Sequence, residues 1–376
     1  MNINGLPFDE RAILDGVRAW VECESPSWDG AAVSRMAKLA GEDMQRMGAE
    51  IRTIAGKGGY GDCVLGDFDP TNPAPGILVL GHVDTVHPSG SLDTTLRWRE
   101  EDGRCYGPGL FDMKSGNYIA LEAVRQLRAA GLCGKLPVRF LFTSDEESGS
   151  PSTRALIEEI AKGQKYVLVP EGAQPDGNLV SGRFPTCRLR LWTYGKPSHA
   201  FLQREEGRSA LAAMARIVLR IEALNGPECS FTVTYLNAGQ MVATVPLESY
   251  AEVACTARSA GALEEGIASV RDLAEDVPGC RLEVKLKTWR PTWIPGAADH
   301  ALWQHAQALA REIGFEADCE MLFGGSDGNF TGAIGIPTLD GLGPVGADAH
   351  QLTENIVISS LVPRARLLAG LMATLV

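Results

Sequence analysis

Short apolar runs alternate with longer amphipathic segments along the first half of the chain, and this pattern predicts strands and helices in turn. Residues 77–80 and 166–169 are continuously apolar, and residues 138–142 are apolar except for Arg139, as is typical of strands buried in a parallel sheet. Apolar residues recur at helical spacing in residues 31–47 and again between Gly116 and about Ala130. Strand–helix–strand order of this kind predicts an α/β fold with a doubly wound, mixed sheet.

The pattern changes near residue 184 and returns near residue 289. The intervening segment predicts strands at 187–194, 230–236, 249–256 and 281–286, and helices at 207–224 and 263–276. This β-α-β-β-α-β order is that of a ferredoxin-like α+β domain. We therefore predict a discontinuous catalytic domain, residues 1–183 and 289–376, interrupted by an inserted domain of residues 184–288. A helix at 297–313, a strand at 337–339 and a final helix from Ile356 complete the prediction.

Polar residues follow the first of the buried strands directly, in the sequence Gly81-His82-Val83-Asp84-Thr85-Val86. Open α/β sheets place their ligand sites at the carboxyl ends of their strands. His82 and Asp84 are two residues apart, so on a strand they point to the same side. This arrangement suits a metal-binding histidine whose second ring N–H is accepted by the carboxylate. The alternative is a turn in which the two side chains only bond to each other.

Five potential imidazole or carboxylate ligands lie at the ends of successive predicted elements: His82, Asp112, Glu147, Glu171 and His350. Such a set without thiolates suits zinc in a hydrolytic site, although cobalt or manganese would also fit. Glu146 and Glu147 are neighbours, so one can bind a metal while the other faces the attacking water. Taken singly, each of these residues could equally be a turn, capping or surface residue.

Composition narrows the function classes. The chain has 376 residues and a formal charge of −12, which argues against nucleic acid or an anionic membrane surface as the main partner. The nine cysteines are odd in number and include no C-x-x-C pair, which predicts free thiols in a reducing cytoplasm. From the sequence pattern we expect neither a signal peptide nor a segment that spans a bilayer.

The sequence also indicates a possible site for a substrate carboxylate and two histidines that are expected at the surface. Backbone N–H groups of Gly324, Gly325 and Ser326 could bind a substrate carboxylate, or the same stretch could be a turn before a helix with Asp327 as its N-cap. His300 and His305 fall in a helical pattern and are expected at the surface.

Seven ordered motifs between about residue 77 and residue 355 resemble the zinc-dependent aminoacylase and carboxypeptidase G-type metallopeptidases. This family includes acetylornithine deacetylase and succinyl-diaminopimelate desuccinylase. The motifs are GHVDTV, YGPGLFDMKSG, TSDEESGS, VPEG, GKPSHA, GGSDGNF and GADAHQLTEN.

The resemblance implies a role for each matching residue and a cofactor of two Zn²⁺ ions, with Co²⁺ or Mn²⁺ as substitutes. His82 and Glu171 are implied to bind one zinc and Glu147 and His350 the other, while Asp112 bridges both and precedes a cis bond to Met113. Glu146 is implied to be the general base and acid. Asp84 orients His82, and His199, in the inserted domain, stabilises the oxyanion.

The implied reaction is amide hydrolysis that releases an amino acid from a small peptidyl or N-acyl substrate, as glutamate carboxypeptidases do. An N-acyl-amino-acid deacylase of the acetylornithine type, or a related metal-dependent deaminase, is the alternative. Arg290 matches a substrate-binding position, but Cys255 and Ala243 stand where relatives carry arginine and asparagine. Either the recognition of glutamate is lost, or Arg183 or Arg258 takes over this role. Relatives of this type often form homodimers through the inserted domain, which acts as a lid.

Overall fold

The structure is a computed structural model that describes residues 3–239 and 241–376. Its helices are α1 (Glu10–Glu22), α2 (Gly30–Arg46), α3 (Ser115–Ala130), α4 (Arg154–Lys162), α5 (Ala210–Glu222), α6 (Ala260–Asp272), α7 (Ala297–Ile313), α8 (Gly328–Ala333) and α9 (Leu361–Thr374). Its strands are β1 (Glu50–Ile54), β2 (Cys63–Asp67), β3 (Ile77–His82), β4 (Arg99–Glu101), β5 (Arg104–Tyr106), β6 (Val138–Thr143), β7 (Tyr166–Leu168), β8 (Leu179–Arg183), β9 (Thr186–Tyr194), β10 (Cys229–Ala238), β11 (Glu248–Ala257), β12 (Arg281–Arg290), β13 (Cys319–Leu322), β14 (Thr338–Leu339), β15 (Gly346–Ala347) and β16 (Asn355–Val357).

A six-stranded mixed sheet with the order β1-β2-β6-β3-β7-β14 forms the centre of the first compact unit. Strands β6, β3, β7 and β14 run parallel, whereas β1 and β2 join antiparallel at one edge. The prediction of a mixed α/β sheet is thus confirmed. Because β3, β6 and β7 are parallel neighbours, the loops that follow them leave the sheet at one edge.

Both faces of this sheet are covered, which explains the continuous apolar runs. Alternate residues of β3 take opposite sides: Ile77 and Val79 pack with α1, α2, α3 and α9, while Leu78 and Leu80 pack against α4 and α8. All four side chains are fully buried. Since β3 is buried on both faces, its position in the sheet is fixed, and so is the position of the polar residues that follow it.

The second compact unit comprises Arg183–Thr292 and Phe323–Gly325, and the first comprises the residues up to Gly182 with Trp293–Leu322 and Ser326–Val376. In the second unit β9, α5, β10, β11, α6 and β12 follow one another, and their antiparallel sheet has the order β10-β11-β9-β12. Alternate residues of β9 and β11 are buried beneath α5 and α6 in a separate apolar core.

Three local predictions need correction. The final helix begins at Leu361 and not at Ile356, because Ile356 lies in β16, where it pairs with Cys105 of β5. Asp327 occupies the N-cap position of α8 as predicted, but its side chain makes no capping hydrogen bond, because its carboxylate accepts hydrogen bonds from Ser150 and Thr143. His305 is half-buried rather than on the surface, and its ring bonds to a hydroxyl of α9.

Other local predictions hold. The helix α7 has the predicted bounds. Asp102-Gly103, a dipeptide typical of tight hairpin turns, forms the turn between β4 and β5. All nine cysteines have free thiols. Among the described residues, none of the helices has both the length and the apolar character needed to cross a membrane.

Candidate metal centre

His82 is the last residue of β3, where it pairs in register with Thr143 of the neighbouring parallel strand β6. The side-chain amide of Asn117 donates to the His82 carbonyl at 2.7 Å, which ties the strand end to α3. Glu146 and Glu147 follow Thr143 in a short helical turn. The parallel pairing therefore brings the histidine loop and the double-glutamate loop side by side.

Asp84 holds these two loops together. Its carboxylate is fully buried and accepts hydrogen bonds from the backbone N–H groups of Glu146 at 3.1 Å and Glu147 at 3.2 Å. Nδ1 of His82 lies 2.9 Å from the Asp84 backbone carbonyl and 3.4 Å from its carboxylate. The backbone carbonyl, and not the carboxylate as the sequence predicted, is thus the nearer acceptor of the ring N–H.

Asp112 lies between the two histidines. One of its carboxylate oxygens, Oδ1, is 3.0 Å from Nε2 of His82, and the other, Oδ2, is 3.1 Å from Nε2 of His350. The peptide bond from Asp112 to Met113 is cis, as the resemblance implies. The two oxygens of one carboxylate therefore face two different imidazoles.

Each imidazole also faces one further carboxylate. Nε2 of His350 is 3.1 Å from Oε2 of Glu147, and Nε2 of His82 is 3.6 Å from Oε1 of Glu171. Glu171 follows β7 and reaches the cluster because α3 approaches this strand end very closely at Gly116. A Cβ atom at Gly116 would lie 1.8 Å from the Pro170 carbonyl oxygen, so only glycine fits there.

The carboxylates and imidazoles of the cluster lie so close together that they shift each other's pKa values. Burial and the charge of Asp112 raise the pKa of Glu147 to about 8, and they raise that of Glu171 well above its usual range. Hydrogen bonds with Asp112 and Glu147 raise the pKa of His350 to about 11. Burial lowers the pKa of His82, but its bonds with Asp112 and Asp84 outweigh this and leave it well above the ordinary value.

Divalent cations fit this arrangement. Two ligands of a tetrahedral zinc ion, each about 2.0–2.1 Å from the metal, lie about 3.3 Å apart. The four imidazole–carboxylate distances, 3.0, 3.1, 3.1 and 3.6 Å, bracket that separation. His82, Asp112 and Glu147 offer one ligand atom each within 4.8 Å of one another. Oε1 of Glu147 is buried and has no hydrogen-bond partner among the described residues. A cation would be a suitable partner for this oxygen.

The other predicted site residues fall into the two units. Glu146 and Ser326 lie in the first unit with the cluster, and both are buried. The N–H of Ser326 donates to the side chain of Asn329 at 3.0 Å, so this group serves the turn before α8, the alternative that the sequence left open. His199, Arg290, Gly324 and Gly325 belong to the second unit.

Two buried residues near the cluster were missed. Glu354 accepts hydrogen bonds from the backbone of Phe111 and Asp112, and Nε2 of His87 lies 2.6 Å from its carboxylate. Glu354 is part of the GADAHQLTEN motif, four residues after His350, so the sequence carried a signal for it. His87 directly follows the GHVDTV motif but is not part of it, and only the fold brings it to Glu354.

A cluster of imidazoles and carboxylates at the carboxyl edge of a mixed α/β sheet is typical of metal-dependent hydrolases. The sequence profile described as Peptidase family M20/M25/M40 matches residues 78–374, and the chain belongs to this family. The protein is therefore a metallohydrolase that acts on amide or peptide bonds, and the family resemblance predicted from the motifs is confirmed.

Individual relatives agree with this assignment. The chain is 25% identical over 369 residues to carboxypeptidase G2 of Pseudomonas sp. (strain RS-16), covering 96% of this chain and 88% of the relative. It is 28% identical over 309 residues to succinyl-diaminopimelate desuccinylase of Verminephrobacter eiseniae (strain EF01-2), covering 76% and 75%. The fold is similar to that of human carnosine dipeptidase 1, with a TM-score of 0.79, 16% identity and coverage of 99% of each chain.

Proposed function

We propose that the protein is a dinuclear zinc hydrolase that cleaves an amide bond and releases an amino acid from a peptidyl or N-acyl substrate. The observation that carries the proposal is the position of Asp112, whose two oxygens face His82 and His350 at 3.0 and 3.1 Å. One cation would be held by His82, Asp112 and Glu171. The other would be held by His350, Asp112 and Glu147.

When bound, the two cations supply Lewis acidity to the scissile carbonyl and to the attacking water. Glu146 is the proposed general base: it takes the proton of the water and then donates it to the leaving nitrogen. Its neighbour Glu147 is committed to a cation, so only one of the two carboxylates is left to move protons. Hydrogen bonds from both backbone N–H groups to Asp84 hold the turn that carries the two glutamates.

The second unit is proposed to recognise the substrate and to act as a lid and dimerisation domain. His199 would stabilise the oxyanion. It lies in a loop in which its Nδ1 accepts hydrogen bonds from the backbone of Phe201 and Leu202 at 3.3 and 3.2 Å, which leaves Nε2 to carry the ring proton and donate.

Arginine side chains gather around the turn Phe323–Gly325 within this unit. Arg183 donates to the Gly324 carbonyl at 3.3 Å, and the guanidinium of Arg258 lies 5.3 Å from the centre of the Phe323 ring. The stem of Arg290 packs on Gly325, where an added Cβ would lie 2.4 Å from its Cδ. We propose that these arginines bind the substrate carboxylate, since guanidinium groups read carboxylates in two-point contacts.

Cys255 is not among the proposed substrate-binding residues. Its side chain is only 4% exposed and packs in the core of the second unit beneath the helices. Ala243 is exposed, and its methyl group cannot make the hydrogen bonds of the asparagine that the family resemblance implies at this position.

Two substrate classes follow from the relatives, one named as a carboxypeptidase and the other as a desuccinylase. The test is a panel that contains a folate-like glutamate conjugate, dipeptides, and N-acetyl and N-succinyl amino acids. Each would be assayed after loading with zinc, cobalt or manganese, with chelator-treated protein as the control. We expect metal-dependent release of a free amino acid from at least one class. A fully metal-loaded protein that hydrolyses no amide would contradict the proposal.

A further inference from the structure

We infer that Glu354, assisted by His87, positions the bridging carboxylate of Asp112 and couples it to His350, so that the affinity for metal depends on this pair. The inference rests on the proposed function, because it assumes that Asp112 and His350 are metal ligands. It concerns two side chains that would not themselves touch the metal.

The carboxylate of Glu354 accepts four hydrogen bonds. Oε1 accepts from the backbone N–H groups of Phe111 at 2.8 Å and of Asp112 at 3.0 Å. Oε2 accepts from the backbone N–H of Gly109 at 3.0 Å and lies 2.6 Å from Nε2 of His87. A carboxylate has about four lone-pair positions, so these donors occupy it fully. Glu354 therefore has no oxygen left for a cation and is a positioning residue.

The contacts with Phe111 and Asp112 bear directly on the bridge. They hold the backbone of the residue whose side chain faces both imidazoles, and they lie immediately before the cis peptide bond. The turn that contains Asp112 has irregular backbone angles inside it, so helical hydrogen bonding does not fix its position. Hydrogen bonds to the Glu354 carboxylate hold this part of the backbone in place instead.

The same pair joins three loops that carry predicted ligands. His87 lies five residues after His82, Glu354 lies four residues after His350, and Glu354 bonds both to His87 and to the backbone of Asp112. A shift of any of the three loops would break contacts in this network. The network thus links the His82 half of the cluster to the His350 half through groups other than the metals.

Burial makes these contacts costly to lose. Glu354 is fully buried and His87 is 5% exposed, so a carboxylate deprived of its donors would be left uncompensated away from water. A purely structural role would also give buried hydrogen bonds, so stability alone does not separate the two cases. Metal affinity does, because partners that orient metal ligands change it by about 10–100-fold when they are removed.

Asp299 offers a matched control. It is also a buried carboxylate of the first unit, 8% exposed, and it accepts backbone N–H groups of Gly296 at 2.8 Å and Thr338 at 2.9 Å. None of these contacts involves a predicted ligand or its loop. Asp299→Asn therefore removes a similar buried anion without disturbing the cluster.

The experiment compares wild type, Glu354→Gln, His87→Leu and Asp299→Asn as metal-free full-length proteins titrated with Co²⁺. The readouts are the stoichiometry, the affinity from the visible spectrum, and the melting temperature. We expect Glu354→Gln to lower the affinity for at least one Co²⁺ by about 10–100-fold and to change the spectrum. Asp299→Asn should lower the melting temperature and leave the Co²⁺ affinity within about twofold of wild type.

Each outcome decides a different point. If a folded Glu354→Gln protein binds both Co²⁺ ions as tightly as wild type, the inference is wrong. If Glu354→Gln does not fold, His87→Leu decides, because it leaves the three backbone donors of Glu354 in place: a lowered affinity supports the inference and an unchanged one overturns it. If wild type itself binds no Co²⁺, the proposed function fails and not this inference alone.

Discussion

His82 presents both of its ring nitrogens to acceptors. Nδ1 faces the Asp84 carbonyl at 2.9 Å and Nε2 faces Asp112 at 3.0 Å. A neutral imidazole carries one N–H, so both contacts are satisfied only when the ring is doubly protonated or when a cation occupies the space at Nε2. Without a metal, the imidazoles and carboxylates of the cluster therefore hold protons that a bound cation would replace.

This exchange predicts a pH dependence of metal binding. In the metal-free protein the pKa of Glu147 is raised to about 8 and that of His350 to about 11, so both groups hold protons at pH 7. Ligands must lose these protons to bind metal, so protons are released on binding. The affinity for metal therefore rises with pH as the pH approaches the pKa of Glu147. Calorimetric zinc titrations in buffers of different ionisation enthalpy would measure the release. An affinity that stays constant between pH 6 and pH 8 would be inconsistent with these ligands.

A substitution at Glu146 separates proton transfer from metal binding. Glu146→Gln keeps the shape of the side chain but removes its basicity, so we expect kcat to fall by about 10²–10⁴-fold with metal content near that of wild type. Metal analysis and steady-state kinetics on the same preparation would check both. Glu159→Gln, at an exposed position of α4, is the control. Retained hydrolysis in Glu146→Gln would refute its role as the base.

At the scale of secondary structure, the parallel strands β3, β6 and β7 determine where the candidate ligands lie. His82, Glu147 and Glu171 each follow one of these neighbouring strands. The helix α3 follows the turn that contains Asp112 and is held against the sheet through Gly116 and Asn117. The cluster is thus a consequence of strand order and of one close helix–strand approach.

That approach gives a prediction about Gly116. Gly116→Ala would force the helix away from the Pro170 carbonyl, so we expect a loss of stability of about 1–3 kcal/mol together with weaker metal binding, because Glu171 follows Pro170. Gly163→Ala is the control, since the nearest atom would be 3.6 Å from the added Cβ and the backbone angle is negative. Urea unfolding of both metal-free variants, with a zinc titration, would test this. Equal stability of the two variants would contradict the packing argument.

The sequence was informative wherever local chemistry determines structure. Buried runs before His82 and Glu147, the hairpin at Asp102-Gly103, and the helix α7 were all recognisable from spacing. The start of α9 was not, because β16 lies between β15 and β5 in its sheet, and β5 is some 250 residues earlier in the chain. For the same reason the contact between His87 and Glu354, 267 residues apart, had no local signal.

At the scale of the whole molecule, the two compact units differ in their exposed surface. The second unit exposes large apolar side chains on α5, on β10 and after it, among them Leu219 (71%), Leu236 (45%) and Val242 (98%). β10 is also an edge strand of its sheet. Exposed apolar side chains beside an open strand edge are typical of surfaces that bind another protein chain.

We therefore expect the protein to be a homodimer that associates through the second unit. Leu236→Lys places a charge on the edge strand and should weaken dimerisation at least tenfold, which sedimentation velocity would measure. Ile294→Lys, at a position of the first unit that is 73% exposed, is the control and should leave the dimer intact. A wild-type protein that remains monomeric at high micromolar concentration would rule out this prediction.

The central claim is that two cations share Asp112, and anomalous diffraction from zinc-loaded crystals tests it most directly. Metals in dinuclear hydrolytic sites lie about 3.5–4 Å apart. We predict two anomalous peaks at that separation, one beside His82 and Glu171 and the other beside His350 and Glu147, with an oxygen of Asp112 on each. A single peak, or peaks away from Asp112, in fully loaded crystals would contradict the account.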